Sequence, residues 1–250
     1  MGVWIILEKP KYAELKLFIL NPLPTYTEPA VELMEIKNMP KNIIIEGPIG
    51  VGKSSLSRKL AASLGASLLL EKPAENPFLE RFYKSPKRYC LPTQLFFLFQ
   101  RVQQLADVEI RNLAAVGQVS DFMLAKDPMF AELTLDAEEL VIYRQVYQSL
   151  CIDARKPDLI IYLQAPVATL QSRIKKRSIK YEQSIDTDYL QRLSDAYSNY
   201  FHHYNDSPLL IVNAADINPI DRDDDYQALL QHITQIEAGK HFFNPLPAGL

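Results

Sequence analysis

Residues 42–54 have the sequence NIIIEGPIGVGKS, and they indicate the fold class of this 250-residue chain. Asn42–Glu46 contains a continuous β-branched run, which is typical of a strand buried on both faces of a parallel sheet. Gly47–Ser54 matches the pattern G-x-x-x-x-G-K-[ST] in full, and Lys53–Leu64 continues with leucines at helical spacing. A buried strand, a glycine-rich loop and a helix in this order predict a binding site for a nucleoside triphosphate.

The residue types of this loop suit ATP and Mg²⁺. Backbone N–H groups of the glycine-rich turn point inward at phosphate oxygens, and the N-terminus of the next helix adds its unpaired N–H groups. Lys53 is predicted to reach the β- and γ-phosphates, and the Ser54 hydroxyl is predicted to bind Mg²⁺. The predicted ATP-binding residues are Gly47, Pro48, Ile49, Gly50, Val51, Gly52, Lys53, Ser54 and Ser55.

Short apolar runs alternate with helical patterns along the rest of the chain, which predicts a three-layer α/β fold with a parallel five-stranded sheet. Residues 1–40 hold five prolines without a clear period, so we expect an irregular or partly ordered extension there and one folded domain over 41–250. The predicted strands are 42–46, 67–71, 118–120, 158–163 and 208–213, and the predicted helices are 53–64, 93–115, 131–154, 167–178, 187–204 and 223–238.

The composition excludes several classes of protein. With 48% hydrophobic and 23% charged residues, the chain is an ordinary globular protein, and its net charge of −3 argues against non-specific binding of nucleic acid. No apolar run approaches the roughly 18 residues that span a bilayer, so we expect no membrane partner. Cys90 and Cys151 lack metal-type spacing and predict free thiols, which fits a cytoplasmic location.

Other motifs separate the classes of phosphate-loop protein. The chain lacks the D-x-x-G and N-K-x-D motifs of switch GTPases, and it lacks the strand ending in Asp-Glu that is usual in mechanical ATPases. Arg173, Lys176, Arg177 and Lys180 are spaced to share one face of a helix. They predict either a lid that brings arginines to the transferring phosphoryl group or an ordinary solvated surface. Together these features favour a kinase acting on a small molecule.

The combined motifs resemble those of the deoxynucleoside kinase family, in particular its bacterial deoxyadenosine and deoxyguanosine kinases. The resemblance covers about residues 42–213, and it implies a P-loop kinase domain with a helical lid at about 173–186. It further implies transfer of a phosphoryl group from ATP to the 5′-hydroxyl of a deoxynucleoside, as in nucleotide salvage. The motifs that carry it are Ile45–Ser54, Asn76-Pro77-Phe78-Leu79, Phe82-Tyr83, and Gln94 with Arg101.

The resemblance implies roles for residues around the deoxynucleoside. Glu71 corresponds to the general base for the 5′-hydroxyl, and Glu75, in the same loop, is a competing candidate. Tyr83 and Glu182 correspond to side chains that bind the 3′-hydroxyl. Each of these side chains has the alternative of an ordinary structural or surface role.

Base recognition is assigned by the same resemblance to Gln94 and Arg101, with Asp127 holding the arginine. The amide of Gln94 can pair with adenine N6 and N7, and the donors of Arg101 suit guanine O6 and N7. We therefore expect purine deoxynucleosides to be preferred, followed by deoxycytidine and then thymidine. As alternatives, Gln94 and Arg101 are exposed polar residues of an amphipathic helix, and Asp127 is a helix N-cap before Pro128.

The chain departs from the family where many members have Glu-Arg-Ser after the third strand. Here the residues are Asp121-Phe122-Met123. Asp121 keeps an acidic group that can bind Mg²⁺ or its water, but the arginine is absent. We therefore expect the catalytic positive charge to come from Lys53, Arg173 and Arg177.

We expect a kinase that uses ATP and a deoxynucleoside as its small-molecule partners and forms a homodimer. Two alternatives stay open. A nucleoside monophosphate kinase similar to thymidylate kinase needs arginines near its acceptor phosphate, and the Glu71–Arg101 segment holds Arg81 and Arg88 besides Arg101. A regulatory module that binds nucleotide without transferring phosphate is the second alternative.

Overall fold

The computed structural model describes residues 39–110, 117–150 and 154–244. Nearly all of the predicted extension at 1–40 lies outside these ranges, and so does Cys151. Cys90 is a buried free thiol, as predicted. In the ranges that the structure describes, no helix has both the length and the apolar character needed to cross a membrane.

The described chain forms a parallel sheet of six strands, so the predicted three-layer α/β class is confirmed and the predicted count of five strands is wrong. The missed strand is the four-residue edge strand Lys240–Phe243, whose alternately exposed side chains gave no apolar run. The strand order is β2-β3-β1-β4-β5-β6. The strands are β1 (Asn42–Glu46), β2 (Ser67–Leu69), β3 (Gln118–Ser120), β4 (Leu159–Gln164), β5 (Leu209–Asn213) and β6 (Lys240–Phe243).

Eight α-helices connect and cover the strands in the described ranges. The helix predicted over 131–154 is in fact two helices, because the carboxylate of Asp136 accepts from the backbone N–H of Glu139 and starts a new helix with a capping box. The helices are α1 (Lys53–Leu64), α2 (Leu79–Lys84), α3 (Pro86–Ile110), α4 (Asp127–Thr134), α5 (Ala137–Ser149), α6 (Val167–Arg177), α7 (Thr187–His203) and α8 (Asp223–Ile233), and short 3₁₀ turns occupy 73–75, 124–126 and 180–184.

Both faces of the sheet are buried, as the continuous apolar runs predicted. In β1, Ile43 and Ile45 pack into a core that includes Leu56 of α1 and Leu229 of α8. Ile44 points to the opposite face and packs into a second core with residues of α7. Alternate side chains of one strand therefore hold helices on both sides.

The strand order determines where the site is formed. β2, β3 and β1 are neighbours and run parallel, so their carboxyl ends meet at one edge of the sheet. Glu71 follows β2, Asp121 follows β3, and the phosphate-binding loop follows β1. Ligands of parallel α/β sheets bind at this edge.

Candidate active site

The phosphate-binding loop turns from β1 into α1 with backbone conformations that need glycine. Gly47 and Gly50 have positive φ angles of 147° and 87°. A Cβ atom would lie 2.4 Å from the carbonyl oxygen of Leu163 at Gly47 and 2.8 Å from that of Leu170 at Gly50, which leaves no room for a side chain. The Lys53 ammonium donates to the Gly47 carbonyl oxygen at 2.7 Å, so the lysine lies over the loop.

A serine hydroxyl and an aspartate carboxylate are hydrogen-bonded to each other beside this loop. The Ser54 hydroxyl donates to Asp121 Oδ2 at 2.5 Å, and Asp121 Oδ1 accepts from the backbone N–H of Glu71 at 2.7 Å. Mg²⁺ is usually held by one or two protein oxygens while water and phosphate complete its octahedron. The hydroxyl and carboxylate oxygens present here fit that ion.

A buried arginine connects the two acidic residues that the sequence assigned to the acceptor. Arg101 of α3 donates from Nε to Glu71 Oε1 at 3.0 Å, and its NH1 group is paired with Asp127 Oδ2. Burial raises the pKa of Glu71, but Arg101, Lys126 and Lys53 together outweigh burial and hold the pKa at about 2. Glu71 is therefore ionised, as a proton acceptor must be.

Asp127 is completely buried behind Arg101. One carboxylate oxygen is paired with Arg101, and the other accepts from the Tyr143 hydroxyl at 2.7 Å. Its side chain makes no capping hydrogen bond in α4, so the N-cap alternative is wrong. Asp127 positions the arginine rather than lining the cavity. Tyr143 was missed by the sequence analysis, because nothing local marks a tyrosine in α5 as a partner of Asp127.

One cavity brings together the predicted acceptor residues and the phosphate-binding loop. We call it the central cavity, and its lining includes Lys53, Glu71, Tyr83, Gln94, Arg101 and Glu182. Burial raises the pKa of the Tyr83 hydroxyl, which therefore stays a protonated donor. Gln94 is 3% exposed, and its amide nitrogen donates to the Thr134 hydroxyl at 3.1 Å.

The competing base candidate lies elsewhere. Glu75 has a side chain that is 58% exposed, pairs with Lys72 and accepts from Gln100. It is absent from the lining of the central cavity, whereas Glu71 is part of it. This placement favours Glu71 over Glu75.

The two arginines expected to supply catalytic charge have different surroundings. Arg177 lines the central cavity and pairs with Glu182 at 2.5 Å. Arg173 instead donates to the backbone carbonyl oxygens of Val51 and Ala214 at 3.0 and 2.7 Å. It is absent from the lining of the central cavity and lines a neighbouring cavity, which Arg177 also lines. Its contacts anchor α6 to that loop.

The predicted basic face is shorter than expected. Helix α6 ends at Arg177 because Ser178 adopts the left-handed conformation with a φ of 54°, and Lys180 belongs to the following 3₁₀ turn. The prediction that Lys180 shares a helix face with Arg173 and Arg177 is therefore wrong. Glu182, in the same turn, is buried and lines the central cavity, and burial raises its pKa although Arg177 opposes this.

Comparison with known proteins identifies the family of this chain. A family model described as deoxynucleoside kinase matches residues 43–237. The chain belongs to the deoxynucleoside kinase family. The resemblance inferred from the motifs and the assignment of the chain as a kinase are thereby confirmed.

Relatives of this deoxynucleoside kinase include bacterial enzymes named for purine deoxynucleosides. The deoxyguanosine kinase of Bacillus subtilis is 38% identical over 157 residues, which are 62% of this chain and 75% of the relative. The deoxyadenosine kinase of Lactobacillus acidophilus is 34% identical over 68% of this chain and 84% of its own length. A solved structure of deoxyadenosine kinase from M. mycoides with bound dCTP superposes with a TM-score of 0.66 at 27% identity, covering 78% of this chain and 99% of that one.

Proposed function

We propose that this deoxynucleoside kinase transfers the γ-phosphoryl group of ATP to the 5′-hydroxyl of a deoxynucleoside and prefers purine bases. The observation that carries the proposal is the central cavity itself. It places an ionised carboxylate, Glu71, in the same enclosed space as the phosphate-binding Lys53 and the amide and guanidinium of Gln94 and Arg101. The relatives named for deoxyguanosine and deoxyadenosine support the purine preference.

The residues of the cavity have separate roles in the phosphoryl transfer. The 5′-oxygen forms a bond to the γ-phosphorus, its proton passes to the Glu71 carboxylate, and the bond from the γ-phosphorus to the bridging oxygen breaks, with its electron pair leaving on ADP. Ser54 and Asp121 would hold Mg²⁺, which neutralises phosphate charge when bound. Tyr83 and Glu182 bind the 3′-hydroxyl, and Arg177, which is paired with Glu182, lies in the same cavity.

Two side chains select the base in this proposal. Gln94 offers a donor and an acceptor that match adenine N6 and N7, and Arg101 offers fixed donors that match guanine O6 and N7. Asp127 pairs with the guanidinium of Arg101 and is itself held by the hydroxyl of Tyr143. Thymine lacks an exocyclic amine and fits this set least well.

A radiolabelled transfer assay tests the function. The full chain is incubated with γ-labelled ATP and Mg²⁺, and the acceptors are the four deoxynucleosides and, separately, their 5′-monophosphates. We expect labelled monophosphates from deoxyguanosine and deoxyadenosine first, then from deoxycytidine and last from thymidine. Labelling of the monophosphates alone would identify a nucleoside monophosphate kinase, and ATP binding without labelled product would identify a regulatory module.

We also propose a homodimer through α3 and α5. These helices pack together around Leu98 and Tyr143, and their outer surface exposes large apolar side chains. Phe99, Val141 and Ile142 are each about half exposed, at 51%, 54% and 47%. Exposed apolar patches mark interaction surfaces. Light scattering of the full chain and of Ile142→Asp tests this, since the variant should be monomeric.

A cytoplasmic location completes the proposal. Cys90 is a buried free thiol, and free thiols are typical of reducing compartments. Fluorescence of a tagged full-length chain in cells would show diffuse cytoplasmic signal.

A further inference from the structure

Lys126, at the end of the 3₁₀ turn before α4, is a buried cation whose ammonium is surrounded by a carboxylate, a hydroxyl and an aromatic ring. Its side chain is 2% exposed, and its ammonium donates to Glu46 Oε2 at 2.8 Å and to the Tyr197 hydroxyl at 3.3 Å. The ring centroid of Phe130 lies 5.5 Å from the same nitrogen. Lysine is almost never fully buried unless it is paired. Glu46 and Tyr197 pair with two of its three N–H donors.

The carboxylate that holds Lys126 is itself tied to the phosphate-binding loop. Glu46 is the residue directly before Gly47, and it also accepts from the backbone N–H of Met123 at 2.7 Å and of Gly47 at 3.3 Å. The ammonium of Lys126 is thus fixed relative to the first residue of the loop. A charge fixed in this way needs no reorganisation when charge develops nearby.

Lys126 lines the central cavity together with Lys53 and Glu71. Burial lowers the pKa of Lys53, and the charge of Lys126 lowers it further. The same charge acts with Arg101 and Lys53 to lower the pKa of Glu71. Lys126 is therefore electrostatically close to both the phosphate-binding lysine and the proposed base.

Two arginines of the central cavity are paired with acidic side chains, and Lys126 is paired with Glu46 in the same way. Arg101 is paired with Glu71 and Asp127, and Arg177 is paired with Glu182. Phe122, where many relatives have an arginine by the motif comparison above, is 2% exposed and lines a separate cavity. The side chain at that position is uncharged and is not part of the lining of the central cavity.

We propose that Lys126 is a second catalytic cation, which acts beside Lys53 on the phosphoryl group during its transfer. The inference rests on the proposed function. As the 5′-oxygen bonds to the γ-phosphorus and the bridging bond breaks, negative charge spreads over the equatorial oxygens and the departing ADP oxygen. The third N–H of Lys126 donates to this charge, and the lysine keeps its protons while Glu71 receives the proton of the 5′-hydroxyl.

The test compares three variants of the full chain in steady-state transfer to deoxyguanosine. Lys126→Met should lower kcat by about 10²-fold or more, with KM for ATP changed much less, because fixed charge acts mainly on the transition state. Lys59→Met is the matched control, since Lys59 also pairs with a carboxylate, that of Asp223, and lies over a tyrosine ring, but outside the central cavity. Its kcat should stay unchanged.

A double variant separates charge from folding. Lys126→Met leaves Glu46 buried without its cation, which can destabilise the fold. Lys126→Met with Glu46→Gln removes that unpaired charge, so the thermal unfolding temperature should recover while kcat stays low. Recovery of kcat in the double variant would overturn the proposal, and so would an unaffected kcat in Lys126→Met. An unmodified chain that transfers no phosphate to any deoxynucleoside would instead refute the proposed function.

Discussion

Replacing Arg101 tests whether the guanidinium assigned to base recognition also lowers the pKa of the proposed proton acceptor, Glu71. Against the effect of burial, Arg101 acts with Lys126 and Lys53 to hold the pKa of the Glu71 carboxyl at about 2, compared with an ordinary value of 4.5. The difference of about 2.5 pH units corresponds to about 3 kcal/mol in favour of the ionised carboxylate. In Arg101→Met the share of Arg101, which is the largest of the lowering effects, is lost, while burial still raises the pKa and Lys126 and Lys53 still lower it. The pKa of Glu71 should therefore rise toward its ordinary value, with Lys126 and Lys53 still opposing the effect of burial.

The assay is the dependence of kcat/KM for deoxyguanosine on pH between 4 and 8. The unmodified enzyme should show no acid limb from Glu71 in this range, because that limb lies near pH 2. The acid limb of the variant should lie at a higher pH than that of the unmodified enzyme. Asp127 would be left buried and unpaired, so Arg101→Met is best made together with Asp127→Asn, which still accepts from Tyr143.

Arg88→Met is the matched control, since Arg88 is an exposed arginine of the same helix, and its profile should follow that of the unmodified enzyme. Stability gives a second measurement. A carboxyl with a lowered pKa in the folded state stabilises the fold above its unfolded pKa and loses this contribution as pH falls toward its folded pKa. Between pH 4.5 and pH 2 the free energy of unfolding should fall more in the unmodified chain than in the double variant. Acid limbs at the same pH in both proteins would refute the reasoning.

Three further predictions concern single residues. Lys53→Ala should lower kcat by about 10²–10³-fold, measured by the transfer assay, because the β- and γ-phosphates lose a fixed cation; a folded variant with unchanged kcat would contradict this. Glu71→Gln should lower kcat by about 10²–10⁴-fold with ATP affinity retained, whereas Glu75→Gln should be as active as the unmodified enzyme, and the reverse result would move the base to Glu75. Arg173→Ala should lower the unfolding temperature in calorimetry, since each lost hydrogen bond to a backbone carbonyl costs about 1 kcal/mol, and an unaltered temperature would show that α6 is held by other contacts.

Local patterns predicted the elements that carry their own signal. The β-branched run of β1 and the glycines of the loop specify their backbone by themselves, and the predicted β3 and the start of α8 coincide with the observed ones. The capping box of Asp136 and Glu139 was present in the sequence and was overlooked, so two helices were joined into one. The strand β6 has no comparable signal, because its pairing with β5 creates it.

Side-chain partners from distant parts of the chain could not be predicted. Lys126 pairs with Glu46 from 80 positions earlier, and Arg173 donates to the carbonyl of Ala214, 41 positions later. Neither contact leaves a spacing pattern in the sequence. Tyr143 is likewise an ordinary apolar position of α5 until the fold places Asp127 against it.

The small strand β6 protects the sheet from self-association. Without it, the apolar Leu209–Asn213 strand would present unpaired N–H and C=O groups at the edge of a parallel sheet, which is a template for pairing with other chains. β6 covers this edge and replaces it with a segment of only four residues that begins with the exposed Lys240. Short, charged outermost strands resist edge-to-edge aggregation, so a chain truncated before Lys240 would keep every residue of the central cavity and still be prone to precipitate.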